Sequence, residues 1–469
     1  MSTTSSTVLR LEQHARCLAA DMETPISLFM GMASKGGILL ESAEVDGRWG
    51  RYSVLACETL LSLHCRKGLL ELSVADDCLK PLLACAGLPF VQGLRQVMAM
   101  LDIVPDPTAE PLPPMTRALY GYFGFGMAAV FNPRLSTLFP QEEESCTLLL
   151  PRTVIVMDHL YNRLVQVSIG EHSPLQGKHN VPESKECVLP EHIVASPNAE
   201  GYKACTRAIK ELLRQGEAIQ VVPSVRFSAP YSGDPFTLYR RMRNSNPSPY
   251  MFYMQFPHMT LLGASPEVMV RCSAGTVSMS PIAGTRKRGS TSAEDARLAE
   301  ELRHDPKECA EHVMLVDLGR NDVGRIAKAG TVQVERLMDI ERFSHVMHMT
   351  SRISGTAQAG LDALDILAAT FPAGTVSGAP KIRAMEIIAE MEKQARGPYA
   401  GCIGWLGLDK DAVHMDTGIT IRSMWLHKGK LHWQAGGGIV HDSDPQTEWE
   451  EVYNKSAIMR LVLKPTGEK

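Results

Sequence analysis

The segments IQVVPSVRF (219–227) and YMFYMQF (250–256) decide the fold class. Both are short and rich in β-branched or aromatic residues, which is the composition of a β-strand. Residues 276–280 and 413–426 have the same character. Because these segments often follow one another without an intervening helix, we predict an α+β protein built on antiparallel sheets, and not a doubly wound α/β fold.

Two segments between the predicted strands have helical periodicity. In 199–215, four residues form one apolar stripe: Tyr202, Ile209, Leu212 and Leu213. Asn198 is the expected N-cap and Gly216 the expected stop. A second helix is predicted over 380–394, with Pro380 near its first turn.

Two proline-bearing stretches divide the chain. Residues 103–114 carry five prolines and read as a connector, and the polar stretch 171–198 reads as a long surface loop. We therefore expect an N-terminal part over 1–198 and a larger part over 199–469. The two parts are expected to form one intertwined globular unit.

Composition excludes several classes of protein. The 469 residues contain 48 Lys+Arg and 52 Asp+Glu, for a net charge of −4, so charge gives no reason to expect a nucleic-acid partner. No apolar run is long enough for a membrane span, and residues 1–7 do not resemble a secretory signal. Eleven scattered cysteines without a CxxC motif fit reduced thiols and a cytoplasmic enzyme.

Acidic residues recur at helical spacing in two places. Glu448, Glu451 and Lys455 are separated by three and four residues, which places them on one helix face. Glu311 lies in a second acidic helix over 307–318. Two carboxylates beside a lysine suit a hard cation such as Mg²⁺, although a solvated charged face has the same spacing.

Three glycine-rich segments suggest contact with a small anion. Residues 436–438 are three successive glycines after a predicted strand, 373–381 leads into a helix N-terminus, and 284–289 carries three cationic side chains. Such backbone approaches a ligand closely and directs N–H groups at negative charge. Each segment alone is also compatible with an ordinary loop, so the residues themselves indicate no more than a Mg²⁺-dependent enzyme acting on a small carboxylate.

These segments also carry a family resemblance. PIAGTR (281–286), EHVMLVDL (311–318), PAGTVSGAPK (372–381) and EWEEVYNK (448–455) resemble motifs of the chorismate-utilising enzymes, in the same order along the chain. The resemblance covers residue 38 to the C-terminus and is strongest to the anthranilate-forming branch. It implies two large antiparallel sheets packed face to face with helices outside.

The resemblance also implies an activity, a cofactor and a site. The reaction is a Mg²⁺-dependent carbon–oxygen lyase step, in which chorismate and ammonia yield anthranilate and pyruvate for tryptophan biosynthesis. Glu311 and Glu451 would be metal ligands with Glu448 close by. The implied substrate-binding residues are Gly284, Thr285, Thr375, Tyr399, Arg422, Gly436, Gly437, Gly438 and Lys455.

Residue roles follow from the same motifs. Glu267 is placed like the family's general acid and His348 is the candidate for proton transfer. Gln220 stands where water-adding relatives carry a lysine base, and Ala283 where some aminodeoxychorismate synthases carry a nucleophilic lysine. An amide cannot take a proton from water at neutral pH, so both positions favour ammonia addition.

A regulatory site and partners are implied as well. Glu41, Ser42, Pro249, Tyr250 and Met251 resemble the family's tryptophan-binding elements, which predicts feedback inhibition. Ammonia would come from a separate glutamine amidotransferase subunit in a hetero-oligomer. Two other functions stay open: a synthase component that retains the enolpyruvyl group, such as an aminodeoxychorismate or aminodeoxyisochorismate synthase, and a non-catalytic tryptophan-binding regulatory subunit.

Overall fold

The computed structural model describes residues 8–19, 21–32, 36–43, 50–140, 142–172, 175, 192–343 and 346–464. Most of the predicted loop over 171–198, and His345, lie outside them. The strands are β1 (Leu9–Ala19), β2 (Gly37–Glu41), β3 (Tyr52–Arg66), β4 (Leu69–Val74), β5 (Leu101–Val104), β6 (Ala118–Phe123), β7 (Cys146–Asp158), β8 (Arg163–Ile169), β9 (Val194–Ser196), β10 (Gln220–Val221), β11 (Ser224–Pro230), β12 (Tyr250–Gln255), β13 (Thr260–Ser265), β14 (Val268–Ser273), β15 (Thr276–Met279), β16 (Ile282–Lys287), β17 (Gln333–Arg342), β18 (Val346–Thr356), β19 (Gly378–Ala379), β20 (Cys402–Gly407), β21 (Met415–Ile419), β22 (Ser423–His427) and β23 (Lys430–Gly436).

The helices are α1 (Pro25–Met32), α2 (Phe90–Met100), α3 (Met127–Phe131), α4 (Ala199–Arg214), α5 (Pro235–Ser245), α6 (Ser292–His304), α7 (Pro306–Gly324), α8 (Ala363–Thr370), α9 (Lys381–Met391), α10 (Pro445–Lys455) and α11 (Ala457–Val462). The predicted helix starts are accurate: the Asn198 side chain accepts the Gly201 N–H, and Pro380 is the N-cap of α9.

Strand pairing confirms the predicted α+β class. Twenty-one strands form one hydrogen-bonded network, and every described pairing is antiparallel except that of β1 with β5. The network joins distant parts of the chain, because β2 pairs with β12 and β6 pairs with β20. Strands from before residue 198 and strands from after it are therefore hydrogen-bonded neighbours in one sheet.

Alternation along the strands builds two large apolar cores in the described part of the chain. Ile38 on β2 belongs to one buried cluster, and its neighbour Leu39 belongs to the other. Val54 and Leu55 on β3 divide in the same way. Because successive side chains of a strand point to opposite faces, both faces of the sheet are buried here. This is why these strands are apolar at consecutive positions.

Two predicted strands are interrupted. The segment 219–227 divides at Pro223 into β10 and β11, because proline has no N–H for a strand ladder. The segment 413–426 contains two strands, β21 and β22, with Arg422 in the turn between them. The first break takes β10 out of the main sheet, so that it pairs with β19 and Gln220 faces Ala379.

A buried ion pair fixes α7 to α9. The Lys381 Nζ lies 2.6 Å from Asp322 Oδ2 and donates to the Thr370 carbonyl at 2.7 Å. Both side chains are almost fully buried. Burial lowers the pKa of Lys381 and raises that of Asp322, and each charge opposes the shift of the other. The pair therefore couples the start of α9 to the end of α7.

Replacing one partner of this pair should be costly. We expect Lys381→Met to lower the free energy of unfolding by about 3–5 kcal/mol, because it leaves Asp322 as an uncompensated buried charge. The matched control is Lys393→Met, at an exposed lysine just beyond α9, with an expected change within about 0.5 kcal/mol. Denaturant unfolding measures both. A double change of Lys381→Met with Asp322→Leu should recover stability; a double variant as weak as the single one would contradict this explanation.

Candidate functional site

Four parts of the fold bring the predicted acidic residues, with Gln220 and Lys455, to one cleft. Gln220 lies on β10, Glu267 follows β13, Glu311 lies on α7, and Glu448, Glu451 and Lys455 lie on α10. Helix α10 packs against α4 and β23, and β23 ends at Gly436. Residues separated by more than 200 positions in the sequence thus meet at the end of the sheet.

Lys455 is the cation that these acidic residues share. Its Nζ lies 2.7 Å from Glu451 Oε1 and donates to the Gly436 carbonyl at 3.3 Å. Its positive charge also lowers the pKa values of Glu267 and Glu311 against the larger effect of burial. The lysine is therefore positioned to offset a high local density of negative charge.

Glu267 is a buried acid. Only 7 % of the residue is exposed, and burial raises the pKa of its carboxyl to about 8, against smaller lowering effects from Thr375, Lys455 and the Ile282 backbone. It lies at the edge of a cavity of about 340 Å³ that Thr375 and Asp322 also line. A carboxyl with this pKa carries a proton at neutral pH, which is the state that a general acid requires.

Gln220 contacts the acidic group directly. Its side-chain Nε2 donates to Glu311 Oε1 at 3.3 Å, and the residue is 2 % exposed. Burial raises the pKa of Glu311, with this hydrogen bond and Lys455 opposing the rise. The amide therefore holds a carboxylate in place and offers no base of its own.

A second group of predicted residues surrounds His348. The Thr285 hydroxyl lies 3.0 Å from His348 Nδ1, and the Gly284 carbonyl lies 3.3 Å from the same atom. This contact follows from strand register, because Thr285 on β16 pairs with His348 on β18. Burial lowers the pKa of His348, and nearby Arg422 lowers it further. The imidazole is therefore neutral at pH 7.

Arg422 and Tyr399 connect this group to the acidic one. Within the described part of the chain Arg422 forms no ion pair, although burial lowers its pKa and thus disfavours its charge. Its backbone is left-handed, with φ of 50°. Tyr399 is 3 % exposed, and its hydroxyl lies 2.9 Å from where a Cβ on Gly436 would be. An unpaired, half-buried guanidinium is suited to bind a carboxylate ligand.

The three glycines at the end of β23 allow close packing that a side chain would prevent. A Cβ on Gly438 would lie 2.5 Å from Gln220 Nε2, and one on Gly437 would lie 3.3 Å from Glu448 Oε2. Glu448 is 6 % exposed, burial raises its pKa, and its Oε2 has no hydrogen-bond partner in the structure. The backbone here forms the floor of the cleft.

The carboxylates do not form a closed metal cluster by themselves. Across the described residues, the group whose ligand atoms all lie within 4.8 Å of one another is His64, Glu144 and His258, on another part of the sheet. Arg66 bonds Glu144 there at 3.1 Å, so this group is explained as a hydrogen-bonded ion pair. Glu451 nevertheless lies close enough to Glu311 and to Glu448 for its charge to raise the pKa of each.

Sequence reasoning missed a buried arginine that holds three walls of the cleft. Arg396 donates to the Val222 carbonyl at 2.6 Å, to the Val376 carbonyl at 2.9 Å and to Glu392 at 2.7 Å. Glu392 in turn accepts from the backbone and side chain of Ser224. The sequence did show Arg396 four residues after Glu392, but this spacing also occurs commonly on exposed helices and does not indicate burial.

The five residues predicted to form a regulatory site lie together. Glu41, Ser42, Pro249, Tyr250 and Met251 all line one cavity of about 890 Å³, a volume that includes its open mouth. The contact is made by strand pairing, because Glu41 on β2 faces Met251 on β12. The Ser42 hydroxyl is buried without a partner. Arg271 and Asp416 form an ion pair at 2.7 Å on the wall of the same cavity.

Comparison with known proteins assigns a family. Residues 88–460 match the chorismate binding enzymes. Anthranilate synthase component 1 of Acinetobacter calcoaceticus is 38 % identical, over 95 % of this chain and 93 % of the relative. The crystal structure of anthranilate synthase component I from Streptococcus pneumoniae aligns with a TM-score of 0.73 and 31 % identity, over 95 % of this chain and 99 % of that one. The menaquinone-specific isochorismate synthase of Escherichia coli, at 18 % identity and a TM-score of 0.74 over 98 % of this chain and 97 % of that one, has the same fold.

The raised pKa of Glu267 gives a test that separates stability from activity. Since the folded protein holds the proton up to pH about 8 and an exposed glutamic acid releases it near 4.5, the contribution of Glu267 to wild-type stability should fall as pH rises between these values. Glutamine cannot ionise, so Glu267→Gln should gain thermal stability over wild type as pH rises from 5 to 8. Activity should fall about 10²–10⁴-fold, because the acid is lost. Parallel stability profiles of the two proteins would contradict the buried-acid assignment.

Proposed function

The chain belongs to the family of chorismate binding enzymes, and on that premise we propose that it converts chorismate and ammonia to anthranilate and pyruvate. Relatives that carry the name anthranilate synthase component 1 support this reaction over nearly the whole chain. The role is that of the large, chorismate-processing component. The pathway that the product would serve is tryptophan biosynthesis.

The observation that carries the choice of reaction is the environment of Gln220. Its amide is buried and hydrogen-bonded to Glu311, at the position where water addition needs a base. Water is a poor nucleophile without deprotonation, whereas ammonia needs only to be positioned. Ala283 is buried and has no amine, so no covalent adduct forms there. Both positions favour ammonia as the nucleophile.

The protein side chains then divide the work. Glu267, protonated at neutral pH, donates to the departing hydroxyl as ammonia adds to the ring. Arg422, Tyr399 and the glycine backbone bind substrate carboxylates. If His348 Nδ1 donates to the Gly284 carbonyl, its Nε2 is free to take the ring proton. Loss of this proton breaks the ring C–O bond, makes the ring aromatic and releases enolpyruvate, which gains a proton at its methylene carbon to become pyruvate.

We also propose Mg²⁺ as cofactor, held by Glu311, Glu448 and Glu451. Carboxylate oxygens are the ligands that Mg²⁺ prefers, and the unpartnered Oε2 of Glu448 is an available donor. When bound, the ion would supply positive charge that anchors and polarises a substrate carboxylate. Lys455, paired with Glu451, supplies part of that charge from the protein itself.

Ammonia supply defines the proposed partner. The name component 1 of the relatives supports a second component, which we propose to be a glutamine amidotransferase bound to this chain as a hetero-oligomer. Among the described residues, no helix is both long and apolar enough to cross a bilayer. We propose that the complex works in the cytoplasm.

We also propose feedback inhibition by tryptophan. The cavity beside Ser42 and Met251 combines apolar walls with the Arg271–Asp416 ion pair, which suits an amphipathic amino acid. Its wall is coupled to the catalytic cleft by strand register, because Tyr250 pairs with Ser265, two residues before Glu267. A ligand that shifts β12 can therefore change the position of the acid.

Product analysis tests the proposed reaction. We expect the pure chain with chorismate, Mg²⁺ and ammonium to form fluorescent anthranilate and pyruvate in equal amounts, without isochorismate or salicylate. Glutamine should not replace ammonium unless the second component is added. An aminated ring that keeps its enolpyruvyl group, formed without pyruvate, would instead assign the chain to the aminodeoxy synthases. A chain that binds tryptophan but leaves chorismate unchanged would be a regulatory subunit.

A substitution in the cavity beside Ser42 and Met251 tests feedback inhibition separately. Ser42→Phe should fill part of the cavity and raise the tryptophan concentration for half-inhibition by at least about tenfold, which corresponds to about 1.4 kcal/mol. Ser42→Ala, which preserves the space, is the matched control and should stay inhibited. Steady-state assays and calorimetric titration measure both. The proposal fails if tryptophan neither binds nor inhibits the unmodified chain.

A further inference from the structure

Two buried polar atoms without hydrogen-bond partners face the same point beside Gly437. They are the Tyr202 hydroxyl on α4 and Glu448 Oε2 on α10. Each lies 3.3 Å from where a Cβ on Gly437 would be. Tyr202 is 0 % exposed, so its hydroxyl cannot reach bulk water.

No group of the described chain satisfies either atom. A buried hydroxyl left without a partner is destabilising, and a buried carboxylate is more so. Packing does not require the hydroxyl, because the Tyr202 ring itself makes the apolar contacts, including one with Trp449 at 6.1 Å between ring centroids. Phenylalanine would fill the same place without the cost. The hydroxyl is therefore expected to gain a partner in the working enzyme.

The chemistry of the two atoms defines that partner. A tyrosine hydroxyl donates a hydrogen bond, and an ionised carboxylate only accepts. A group that bridges them must accept from one and donate to the other, which a water molecule does. Glycine at position 437 leaves the space beside both oxygens free of a side chain.

We propose that Tyr202 is a positioning residue for Mg²⁺ binding, whose hydroxyl donates to a water that in turn donates to Glu448. Mg²⁺ keeps several of its own waters when proteins bind it, and second-layer hydrogen bonds to such ligands hold the ion. The inference rests on the proposed Mg²⁺ site. It adds a side chain from α4, which contributes none of the predicted ligands.

Thermal unfolding in Mg²⁺ titrations tests this role without an activity readout. Tyr202→Phe should have an unfolding midpoint in chelator equal to or above that of wild type, because it removes an unpartnered hydroxyl. It should need about tenfold more Mg²⁺ for the half-maximal rise of the midpoint, because it loses a second-layer hydrogen bond. A purely structural hydroxyl would leave the Mg²⁺ dependence unchanged.

Two control variants make the result specific. Tyr453→Phe changes a hydroxyl on an exposed residue five positions after Glu448 and should titrate as wild type. Tyr120→Phe removes a buried hydroxyl that donates to the Met115 carbonyl, so it should lose stability in chelator. A Tyr202→Phe variant that resembles Tyr120→Phe in chelator and wild type in Mg²⁺ would overturn the proposal.

The outcomes for the metal site and for Tyr202 are distinguishable. If the wild-type midpoint does not respond to Mg²⁺, the proposed metal site fails. If wild type responds, Glu311→Gln does not, and Tyr202→Phe responds at the wild-type concentration, only the Tyr202 inference fails. Combining Tyr202→Phe with Glu448→Gln should raise the Mg²⁺ requirement no further than Glu448→Gln alone, because both act through one water. Additive losses would contradict the bridge.

Discussion

Ionised carboxylates resist removal from water, and this fold places Glu267, Glu311 and Glu448 in one cleft with Lys455 as their shared cation. Burial raises the pKa of all three carboxyls, and that of Glu267 to about 8, so this residue keeps its proton near pH 7. The same cleft thus holds a protonated acid beside the candidate metal ligands, a combination that suits acid catalysis next to a cation.

Such a cleft needs walls that do not relax when charges repel one another. The restraint comes from two buried cations outside the cleft. Arg396 holds the backbone beside Gln220 and beside Thr375, and Lys381 holds the end of α7 to the start of α9. Both make hydrogen bonds to carbonyls as well as to a carboxylate, so each fixes backbone positions. A rigid frame of this kind keeps the acidic side chains within reach of a ligand while they stay apart from one another.

The sequence predicted those parts of the protein that depend on local patterns. Local composition predicted the strand over 250–256 and the cap at Asn198. Spacing predicted the helix face that carries Glu448, Glu451 and Lys455, and ordered motifs identified the family. Contacts that depend on strand register were beyond such reasoning: nothing local pairs Gln220 with Ala379 or Glu41 with Met251. The sequence shows the proline at position 223, but it does not show that the strand before this proline leaves the main sheet.

Strand register also links the cavity beside Ser42 and Met251 to the cavity that Glu267 lines. Tyr250 lines the first of these cavities, and its hydroxyl donates to Asp416 at 2.6 Å. Tyr250 also pairs with Ser265, two residues before Glu267. Together with Pro249 it also lines a cavity of about 620 Å³ whose other wall includes Pro266, directly before Glu267. Arg271 also donates to this hydroxyl, at 3.1 Å, so a ligand that competes for Asp416 would change the hydrogen bonds that hold this end of β12. Because the burial of Glu267 sets its pKa, even a small shift of the chain at Pro266 would change how readily the acid gives up its proton. A ligand in the cavity beside Ser42 that binds one arrangement of these strands more tightly than another would then alter the chemistry at Glu267 without touching it.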